Sequence, residues 1–325
     1  MALETVLRSL KAAADPSRLR ILRALGRGPF SVAELTEMLG LGQSTVSRHL
    51  RILTDAGLLT VRRAGTWAFY SLRATDGGNG GNGDFGASLL EWLDASRVAD
   101  GDAVAVQRVL ARRQSRTTQF FRESATSWDR IRDEALGPPL HLDRLVARAG
   151  DPDTAVDLGT GTGVLLERLA GCARRVIGID ASPEMLAVAR ERADRANLER
   201  VDLRLGALEH LPLSNGEADL MVANLVLHHV ADLPSVLGEM LRGLAPGGRI
   251  LVADLEEHDD ERFWTAIGAR WPGFRPEELA EQCESAGFTN ARYERVRTAS
   301  TNGNGNGQGS VRRPTVFLLE ASRVG

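Results

Sequence analysis

The chain has 325 residues, a formal net charge of −3 and two cysteines. This length predicts about two domains, each large enough to bury a core. Two isolated cysteines exclude a disulfide framework and a cysteine zinc site, and they favour a reducing, cytoplasmic setting. No apolar run approaches the ~20 residues of a membrane helix, and the amphipathic start "MALETVLRSLKAAAD" is not typical of a signal peptide, so no membrane partner is expected.

The charge is unevenly distributed along the chain. Residues 1–73 contain eleven basic and five acidic side chains, so this segment carries +6 and the remainder carries −9. A basic module joined to an acidic one indicates a polyanionic partner at the N-terminal end alone.

The first 42 residues contain two clear helix starts. Asp15 followed by Pro16 predicts an N-cap with proline at the first helical position. Ser31 with Glu34 forms a capping box, which predicts the start of the next helix. Another helix follows after a short turn, and this close succession is typical of a helix-turn-helix.

The helix that follows, from about Gln43 to Ala56, combines a buried stripe with a polar face. Val46, Leu50 and Leu53 recur at helical spacing and predict the buried stripe. The opposite face is made of small polar and basic side chains, which can bond phosphates or base edges. This helix is therefore the candidate recognition helix.

A two-stranded wing is predicted from "LLTVRRAGTWAFYSL", residues 58–72, with a turn at Ala64-Gly65. It would place two arginines near the wing tip, where they can bond DNA phosphates. Together with the polar face of the recognition helix, the predicted DNA-binding residues are Gln43, Ser44, Thr45, Ser47, Arg48, His49, Arg51, Arg62 and Arg63.

"LKAAADPSRLRILRAL" and "GQSTVSRHLRILTDAGLL" resemble the ArsR family of winged-helix repressors over nearly all of residues 1–75. The resemblance implies a homodimer that binds an inverted repeat in double-stranded operator DNA, with the helix at 43–56 in the major groove. Many members sense metals through cysteines in the helix that matches 32–39. "VAELTEML" has no cysteine, so no metal is expected there. The alternative is a winged helix that contacts only proteins.

Two stretches rich in Gly and Asn, 76–86 and 300–310, offer few side chains with which to build a core. The first predicts a flexible linker. The second lies between two strand-like runs and predicts a long disordered loop at 299–313. The first separates the basic module from the remainder, the second is not a domain boundary, and neither is expected to carry chemistry.

Residues 87–149 are helical in pattern and predict a dimerisation connector followed by a cofactor lid. The apolar residues expected on one face of the first helix are Leu89, Leu90, Trp92 and Leu93. We expect helix 87–111 and residues 3–14 to form the dimer interface.

After residue 150, strand-like runs alternate with helical ones. This alternation predicts an α/β Rossmann-like domain over 150–325, with a mostly parallel seven-stranded sheet and helices on both faces.

"VDLGTGTG", residues 156–163, follows the first of these strands. A dinucleotide loop would need a glycine where Val164 stands, so the pattern is a different one. Asp157 suits the ammonium of a ligand, and Asp180, at the end of the next strand, suits two ribose hydroxyls. An ammonium and a ribose without a phosphate describe S-adenosylmethionine (SAM) or S-adenosylhomocysteine (SAH).

Residues 115–298 resemble class I SAM-dependent methyltransferases, closest to the ubiquinone and menaquinone biosynthesis group. "VDLGTGTG", "GIDASPEML", "GALEHLPL", "ADLMVANLVLHHV", "LAPGGRILVADL" and "ESAGF" follow one another in the family order. The cofactor-binding residues that this resemblance implies are Asp157, Gly159, Thr160, Gly161, Gly163, Asp180, Ala181, Met185, Ala207, Leu208 and Asn224, with Phe121 and Trp128 as a lid. Many members carry an acid where this chain has Ala207, and the lost hydrogen bond would weaken binding by about 1 kcal/mol.

His228 and His229 follow the fourth strand and are the candidate catalytic bases. Because adjacent side chains usually diverge, they make a poor metal site, and no metal is predicted. A resemblance to arsenite methyltransferases would imply several cysteine thiolates gathered over the methyl group. Cys172 and Cys283 are far apart in the sequence, so we reject arsenite as the substrate. A small-molecule acceptor is expected instead.

Three functions remain for a chain that resembles a fusion of these two families. The first is a DNA-binding regulator that also methylates a small molecule. The second is a regulator that senses SAM or SAH without catalysis. The third is a nucleic-acid methyltransferase, which ranks last because "NLVLHH" is not a base-flipping motif.

Overall fold

The computed structural model describes residues 3–64, 67–73, 82–95, 100–137, 139–258, 260–269, 271–296 and 314–325. The chain divides into two compact units, Met1–Ser115 with Ala231–Pro234, and Arg116–Val230 with Ser235–Gly325. The division falls inside a helix at Ser115, whereas the sequence predicts a first boundary at the Gly/Asn stretch 76–86.

The first unit is a winged helix-turn-helix extended by two further helices. Its elements are α1 (Leu3–Ala13), α2 (Pro16–Leu25), β1 (Phe30–Ser31), α3 (Val32–Leu39), α4 (Gln43–Asp55), β2 (Leu59–Ala64), β3 (Trp67–Leu72), α5 (Asn82–Ala95) and α6 (Asp100–Ser124), whose last turns belong to the second unit.

Both helix starts predicted from the sequence are confirmed. The side chain of Asp15 accepts a hydrogen bond from the backbone N–H of Arg18 at the start of α2. Ser31 and Glu34 form the reciprocal capping box of α3, and Gly40 ends that helix in the left-handed conformation, at φ +64°. Local capping chemistry therefore sets the helix-turn-helix.

The recognition helix α4 buries its predicted apolar stripe. Val46, Leu50 and Leu53 are completely buried. The two wing strands pair antiparallel, and the short strand β1, which the sequence did not predict, adds to β3 in the order β1-β3-β2. The two residues between the wing strands, which include Gly65 of the predicted turn, lie outside the described residues.

Two expectations about the connector are wrong. Helix α5 begins at Asn82, inside the predicted linker 76–86, because Phe85 packs against the core of the first unit and the stretch is not empty of core side chains. Residues 76–81 lie outside the described residues. Trp92 does not share the buried face, since it is 63% exposed while Leu93 is 2% exposed.

The second unit is a three-layer α/β domain. Its elements are α7 (Trp128–Leu136), α8 (Leu140–Ala147), β4 (Thr154–Leu158), α9 (Leu166–Ala170), β5 (Arg175–Asp180), α10 (Pro183–Arg195), β6 (Val201–Leu205), β7 (Ala218–Asn224), α11 (Leu233–Gly243), β8 (Leu244–Leu255), α12 (Glu261–Ala266), α13 (Pro276–Ser285), β9 (Phe288–Val296) and β10 (Val316–Arg323).

The seven-stranded sheet has the order β6-β5-β4-β7-β8-β10-β9, with β10 antiparallel to both of its neighbours. This confirms the predicted mostly parallel sheet. The chain order reverses beside β4, and ligands of such sheets bind at the carboxyl ends of the strands next to this switch point. The predicted loop 299–313 lies outside the described residues.

Within the described ranges, no helix is both long and apolar enough to cross a membrane.

Candidate functional sites

The loop after β4 holds three glycines in the left-handed region. Gly159, Gly161 and Gly163 have φ angles of +64°, +53° and +79°. Residues with a Cβ rarely adopt this conformation, so the alternating glycines follow from the backbone path.

The three glycines face different surroundings. A Cβ on Gly159 would lie 2.3 Å from Cγ2 of Val226, and one on Gly163 would lie 2.8 Å from Cδ1 of Leu166. A Cβ on Gly161 would meet nothing closer than a backbone oxygen at 3.9 Å. Gly159 and Gly163 therefore serve packing, and Gly161 marks the open side where a ligand can approach the backbone.

Asp157 is a buried acid directly beneath this loop. It is 2% exposed, and the hydroxyl of Thr160 donates a 2.7 Å hydrogen bond to its carboxylate. Burial, together with the charge of Asp180, raises the pKa of Asp157 to about 7. A carboxylate that is this costly to charge is stabilised by a cationic ligand group.

Asp180 ends β5 and is held by backbone donors. The N–H groups of Gly161 and Ser182 donate hydrogen bonds of 2.9 and 2.8 Å to its two oxygens. Burial raises its pKa, while these bonds oppose the shift. Each oxygen keeps a further lone pair, so the carboxylate can still accept from two hydroxyls.

The residues predicted to border the adenine follow β5 and β6. Met185 is 1% exposed in the first turn of α10, and Leu208 is 9% exposed after β6. The backbone N–H of Gly206, which precedes Ala207, donates a 3.0 Å hydrogen bond to the backbone carbonyl of Asp180. The fold thus brings the ends of β5 and β6 together.

The predicted lid residues form an aromatic cluster. The ring of Phe121 lies edge-on to Trp128, with centroids 5.0 Å apart, and edge-on to His229 at 4.7 Å. Phe120 extends the cluster, 5.4 Å from Phe121. The lid therefore joins the end of α6, the start of α7 and the turn after β7.

Asp129, which the sequence analysis missed, ties the lid to the glycine loop. It accepts a 2.6 Å hydrogen bond from the hydroxyl of Thr162, and it also pairs with Arg192 of α10 and with Arg132. Burial would raise the pKa of Asp129, but these partners outweigh it and hold the pKa below its usual value.

The chain turns sharply at the end of β7. The side-chain oxygen of Asn224 accepts a 2.9 Å hydrogen bond from Nε2 of His141, a buried residue of α8 that the sequence analysis also missed. Burial lowers the pKa of His141. The next residue, Leu225, has φ +53°, and such strained backbone is concentrated at functional sites.

His228 and His229 lie side by side, with ring centroids 4.1 Å apart and planes tilted by 48°. The rings are neighbours but are tilted, and their Nδ1 atoms face different partners, as the sequence analysis expects of adjacent histidines. Nδ1 of His229 lies 3.1 Å from the carbonyl of Gly268, and Nδ1 of His228 lies 2.6 Å from Asp254. Asp254 was missed, although an acid near a strand end is the same signal that identified Asp180.

The two cysteines lie in different parts of the second unit. Cys172 follows α9, and Cys283 is buried in α13, where burial raises the pKa of its thiol to about 12. Among the residues that the structure describes, no three His, Cys, Asp or Glu side chains are grouped so that they could hold a metal.

The candidate DNA face of α4 is largely exposed. The exposed members are Gln43, Ser44, Ser47, Arg48 and Arg51. Thr45 and Arg62 are partly buried, and the side chain of Arg63 lies outside the described residues. His49 is 5% exposed, so its predicted contact with DNA is wrong; it lies on the buried stripe, three residues after Val46.

The helix that corresponds to a metal-sensing helix carries ion pairs instead. Glu34 of α3 accepts a 2.6 Å hydrogen bond from Arg113, and Glu37 pairs with Arg112 at 2.7 Å. Burial raises the pKa of Glu34, but Arg113 more than offsets this effect and lowers it. These pairs fasten α6 to the helix-turn-helix.

Two family models match the chain. A methyltransferase domain matches residues 150–298, and a helix-turn-helix domain matches residues 13–62. The chain therefore joins a helix-turn-helix domain of the ArsR type to a class I methyltransferase domain, as its motifs predict.

Curated relatives align with parts of the chain. It is 44% identical over 116 residues to an uncharacterized 37.1 kDa protein in transposon TN4556 of Streptomyces fradiae, covering 35% of this chain and 32% of that protein. It is 34% identical over 106 residues to an arsenite methyltransferase of Halobacterium salinarum, covering 32% of this chain and 27% of that protein. It is 34% identical over 151 residues to a ubiquinone biosynthesis O-methyltransferase of Methylobacterium sp., covering 42% of this chain and 60% of that protein. The chain thus spans about a third or less of the first two relatives.

A solved structure confirms the fold. A chain of the complex between the Haloferax volcanii Trm112 methyltransferase activator and the putative methyltransferase matches with a TM-score of 0.50 and 22% identity, over 63% of this chain and 98% of that chain.

Proposed function

We propose that this chain is a transcriptional repressor that binds operator DNA and also transfers a methyl group from SAM to a small molecule. The observation that carries the proposal is the ligand cradle at the switch point of the sheet. There Asp157 is buried with a raised pKa, Asp180 is oriented by two backbone donors, and Gly161 faces open space.

The cradle fits the chemistry of SAM. Asp157 would hold the ammonium, Asp180 would accept from the ribose hydroxyls, and the apolar side chain of Met185 would border the adenine. SAM supplies a methyl group that is already activated, so the protein has mainly to align the acceptor and exclude water. The lid of Phe121 and Trp128 suits that role.

A small acceptor is favoured over a nucleic acid. The aromatic lid covers the turn after β7, where a base would have to enter, and the segment after Asn224 has no base-flipping motif. One relative is named a ubiquinone biosynthesis O-methyltransferase and another an arsenite methyltransferase. Cys172 and Cys283 lie in separate elements and so do not form the cysteine site expected for arsenite. The ubiquinone biosynthesis O-methyltransferase is therefore the better guide to the acceptor.

Replacing Arg48 with alanine should weaken operator binding by about 1–3 kcal/mol, because an exposed arginine on the recognition helix can bond a guanine edge. Replacing Arg62 in the wing should weaken operator and random DNA alike, since phosphate contacts carry no sequence information. Fluorescence anisotropy with both DNAs measures the difference. Equal losses on operator and random DNA for both variants would refute these roles.

The full chain should be a homodimer at micromolar concentration. Leu3, Leu7 and Leu10 recur at helical spacing on α1 and are 75%, 45% and 47% exposed, and Trp92 of α5 is 63% exposed. Helices α1 and α5 pack together, and we propose that a second copy covers these exposed apolar side chains. Sedimentation should give a dimer, and Leu7→Lys should give a folded monomer. A monomeric wild type would contradict this interface.

A second candidate is a sensor in which cofactor binding changes operator affinity and no methyl group moves. Helix α6 favours it, because one continuous helix runs from Asp100 to Ser124. Arg113 of this helix is paired with Glu34 in the first unit, and Phe121 belongs to the lid in the second. Helix α6 thus contributes residues to both units.

Two separate titrations of the purified full chain test the proposal. SAH should bind in a calorimetric titration, and a fragment from upstream of the chain's own gene should bind tighter than random DNA. If SAH does not bind, both the methyltransferase and the sensor proposals are excluded. If the upstream fragment binds no tighter than random DNA, the repressor proposal is excluded.

A further inference from the structure

We propose that Asp254 and His228 form a proton-accepting pair, and that the methyl acceptor therefore reacts through a hydroxyl group. This inference rests on the proposed methyltransferase function and names its substrate class. His228 is the proposed catalytic residue, and Asp254 is a positioning residue that acts through it.

Asp254 is held mainly by backbone donors. Asp254 is fully buried, and one of its oxygens accepts from the backbone N–H groups of Leu227 and His228, at 2.9 and 3.3 Å. The other accepts from the N–H of Leu255 at 2.7 Å and lies 2.6 Å from Nδ1 of His228. Backbone donors fill three of the four acceptor positions of this side chain, and in the proposed pair the carboxylate accepts at the fourth from a protonated Nδ1 of His228.

With its proton on Nδ1, a neutral His228 presents a lone pair at Nε2. That nitrogen is buried and has no hydrogen-bond partner among the described residues. A buried acceptor without a donor costs free energy, and such groups in folded proteins call for a functional explanation. A donor supplied by a substrate would satisfy Nε2.

The pair lies at the edge of the sheet where the cofactor cradle is. His228 follows β7 in the same short segment as Val226, which packs on Gly159 of the glycine loop. Asp254 lies one residue before the end of β8, the strand next to β7. The segment that carries His228 therefore lies at the same end of the sheet as the glycine loop, and the ring of the next residue, His229, contacts Phe121 of the lid. We propose that the lid opens to admit an acceptor to Nε2.

His229 does not share this role. Its Nδ1 faces the carbonyl of Gly268, and its ring packs edge-on against Phe121 at 4.7 Å. It therefore forms part of the lid wall. The two adjacent histidines thus differ in the partner of Nδ1, which is a carboxylate for His228 and a backbone carbonyl for His229.

The proposed step is balanced in atoms and charge. The acceptor oxygen forms a bond to the methyl carbon, and the carbon–sulfur bond breaks with its electron pair going to sulfur. The hydroxyl proton passes to Nε2 of His228, and Asp254 stabilises the imidazolium that results. The proton leaves to water when the lid opens. A hydroxyl needs such a base because it is a weak nucleophile while protonated.

Other titratable groups act near the pair. They include His229 in the same turn and His141 of α8, on whose pKa the charges of Asp254 and Arg132 also act. Because burial lowers the pKa of His141, that ring is neutral at pH 7 and adds no charge to the site.

The first test reads the proton directly in the full-length protein saturated with SAH. Nitrogen NMR of histidine side chains should show the proton of neutral His228 on Nδ1 and a bare Nε2. Asp254→Asn should move the proton to Nε2, because the amide can donate to Nδ1. A wild-type His228 with its proton on Nε2 would overturn the proposal.

The second test uses catechol and arsenite as acceptors and measures SAH formation. Asp254→Asn and His228→Asn should lower kcat with catechol by about 10²–10⁴-fold, flatten the acidic limb of the pH–rate profile and leave the KM for SAM unchanged. His210→Asn, at an exposed position, is the matched control.

Turnover of arsenite but not catechol, or turnover within twofold of wild type in both variants, would overturn the proposal. If neither acceptor reacts, the nitrogen NMR decides the assignment. SAH binding by calorimetry is a separate result, so a failure of the cofactor site is distinguishable from a failure of this pair.

Discussion

Gly161→Ala should abolish SAH binding while the second unit stays folded. The added Cβ would meet no protein atom closer than 3.9 Å, so the cost in stability is limited to the left-handed backbone, about 1–2 kcal/mol. The same methyl group would project into the open side of the cradle, where the cofactor is proposed to lie against the backbone. Calorimetry gives the affinity, and thermal unfolding gives the stability.

Gly159→Ala is the contrasting variant and should lose stability instead. Its Cβ would lie 2.3 Å from Cγ2 and 3.0 Å from Cβ of Val226, so rotating that side chain gives no relief. Overpacking adds about 1–3 kcal/mol to the backbone cost. Val226→Ala in the same chain should recover part of that loss. Gly161→Ala with wild-type SAH affinity would show that the cofactor does not approach this loop.

SAH affinity should rise with pH up to about 7 and then level, because of Asp157. The pKa of this acid is about 7 in the folded apo protein, and a cationic ammonium binds its charged form. Binding then releases a proton below pH 7, so the affinity changes by up to about tenfold per pH unit there. Titrations between pH 5.5 and 8 measure the slope.

The same group should affect stability with the opposite sign. The unfolded chain releases the Asp157 proton near pH 4, whereas the folded chain keeps it to about pH 7. The native state thus binds more protons over this range, and stability falls by up to ~1.4 kcal/mol per pH unit as the pH rises.

Asp157→Asn should remove this dependence, stabilise the apo protein above pH 7 and weaken SAH binding. The difference between wild type and variant isolates Asp157 from the other carboxyls. An Asn variant that binds SAH as tightly as wild type at pH 8 would exclude the contact with the ammonium.

Much of the fold and of the cofactor site follows from local patterns. The capping box of Ser31 with Glu34, the alternate glycines after Asp157 and the acid that ends β5 each depend on residues a few positions apart. Short-range rules of this kind are readable from one sequence, and the structure agrees with them.

The parts that were missed depend on which elements are neighbours in space. Asp254 and His228 are 26 residues apart, Asp129 and Thr162 are 33 apart, and His141 is 83 residues from Asn224. Their pairing requires the strand order of the sheet and the path of α7 and α8, which spacing alone does not contain.

Two errors had a local cause. His49 follows Val46 by three residues, so helical spacing already placed it on the buried stripe, and its polar character was given too much weight. Trp92 was assigned to the core because it is large and apolar, yet in a single chain it is 63% exposed. Its exposure matches the proposed surface for a second copy.

The most direct measurement is a calorimetric titration of SAH into the purified chain, alone and with a saturating upstream DNA fragment. The account predicts one SAH per chain and binding to the fragment in the same preparation. If DNA changes the affinity for SAH, linkage requires SAH to change the affinity for DNA by the same factor, and the sensor function is favoured. If DNA leaves the affinity for SAH unchanged, the two domains act independently. A folded protein that binds neither SAH nor the fragment would contradict the account.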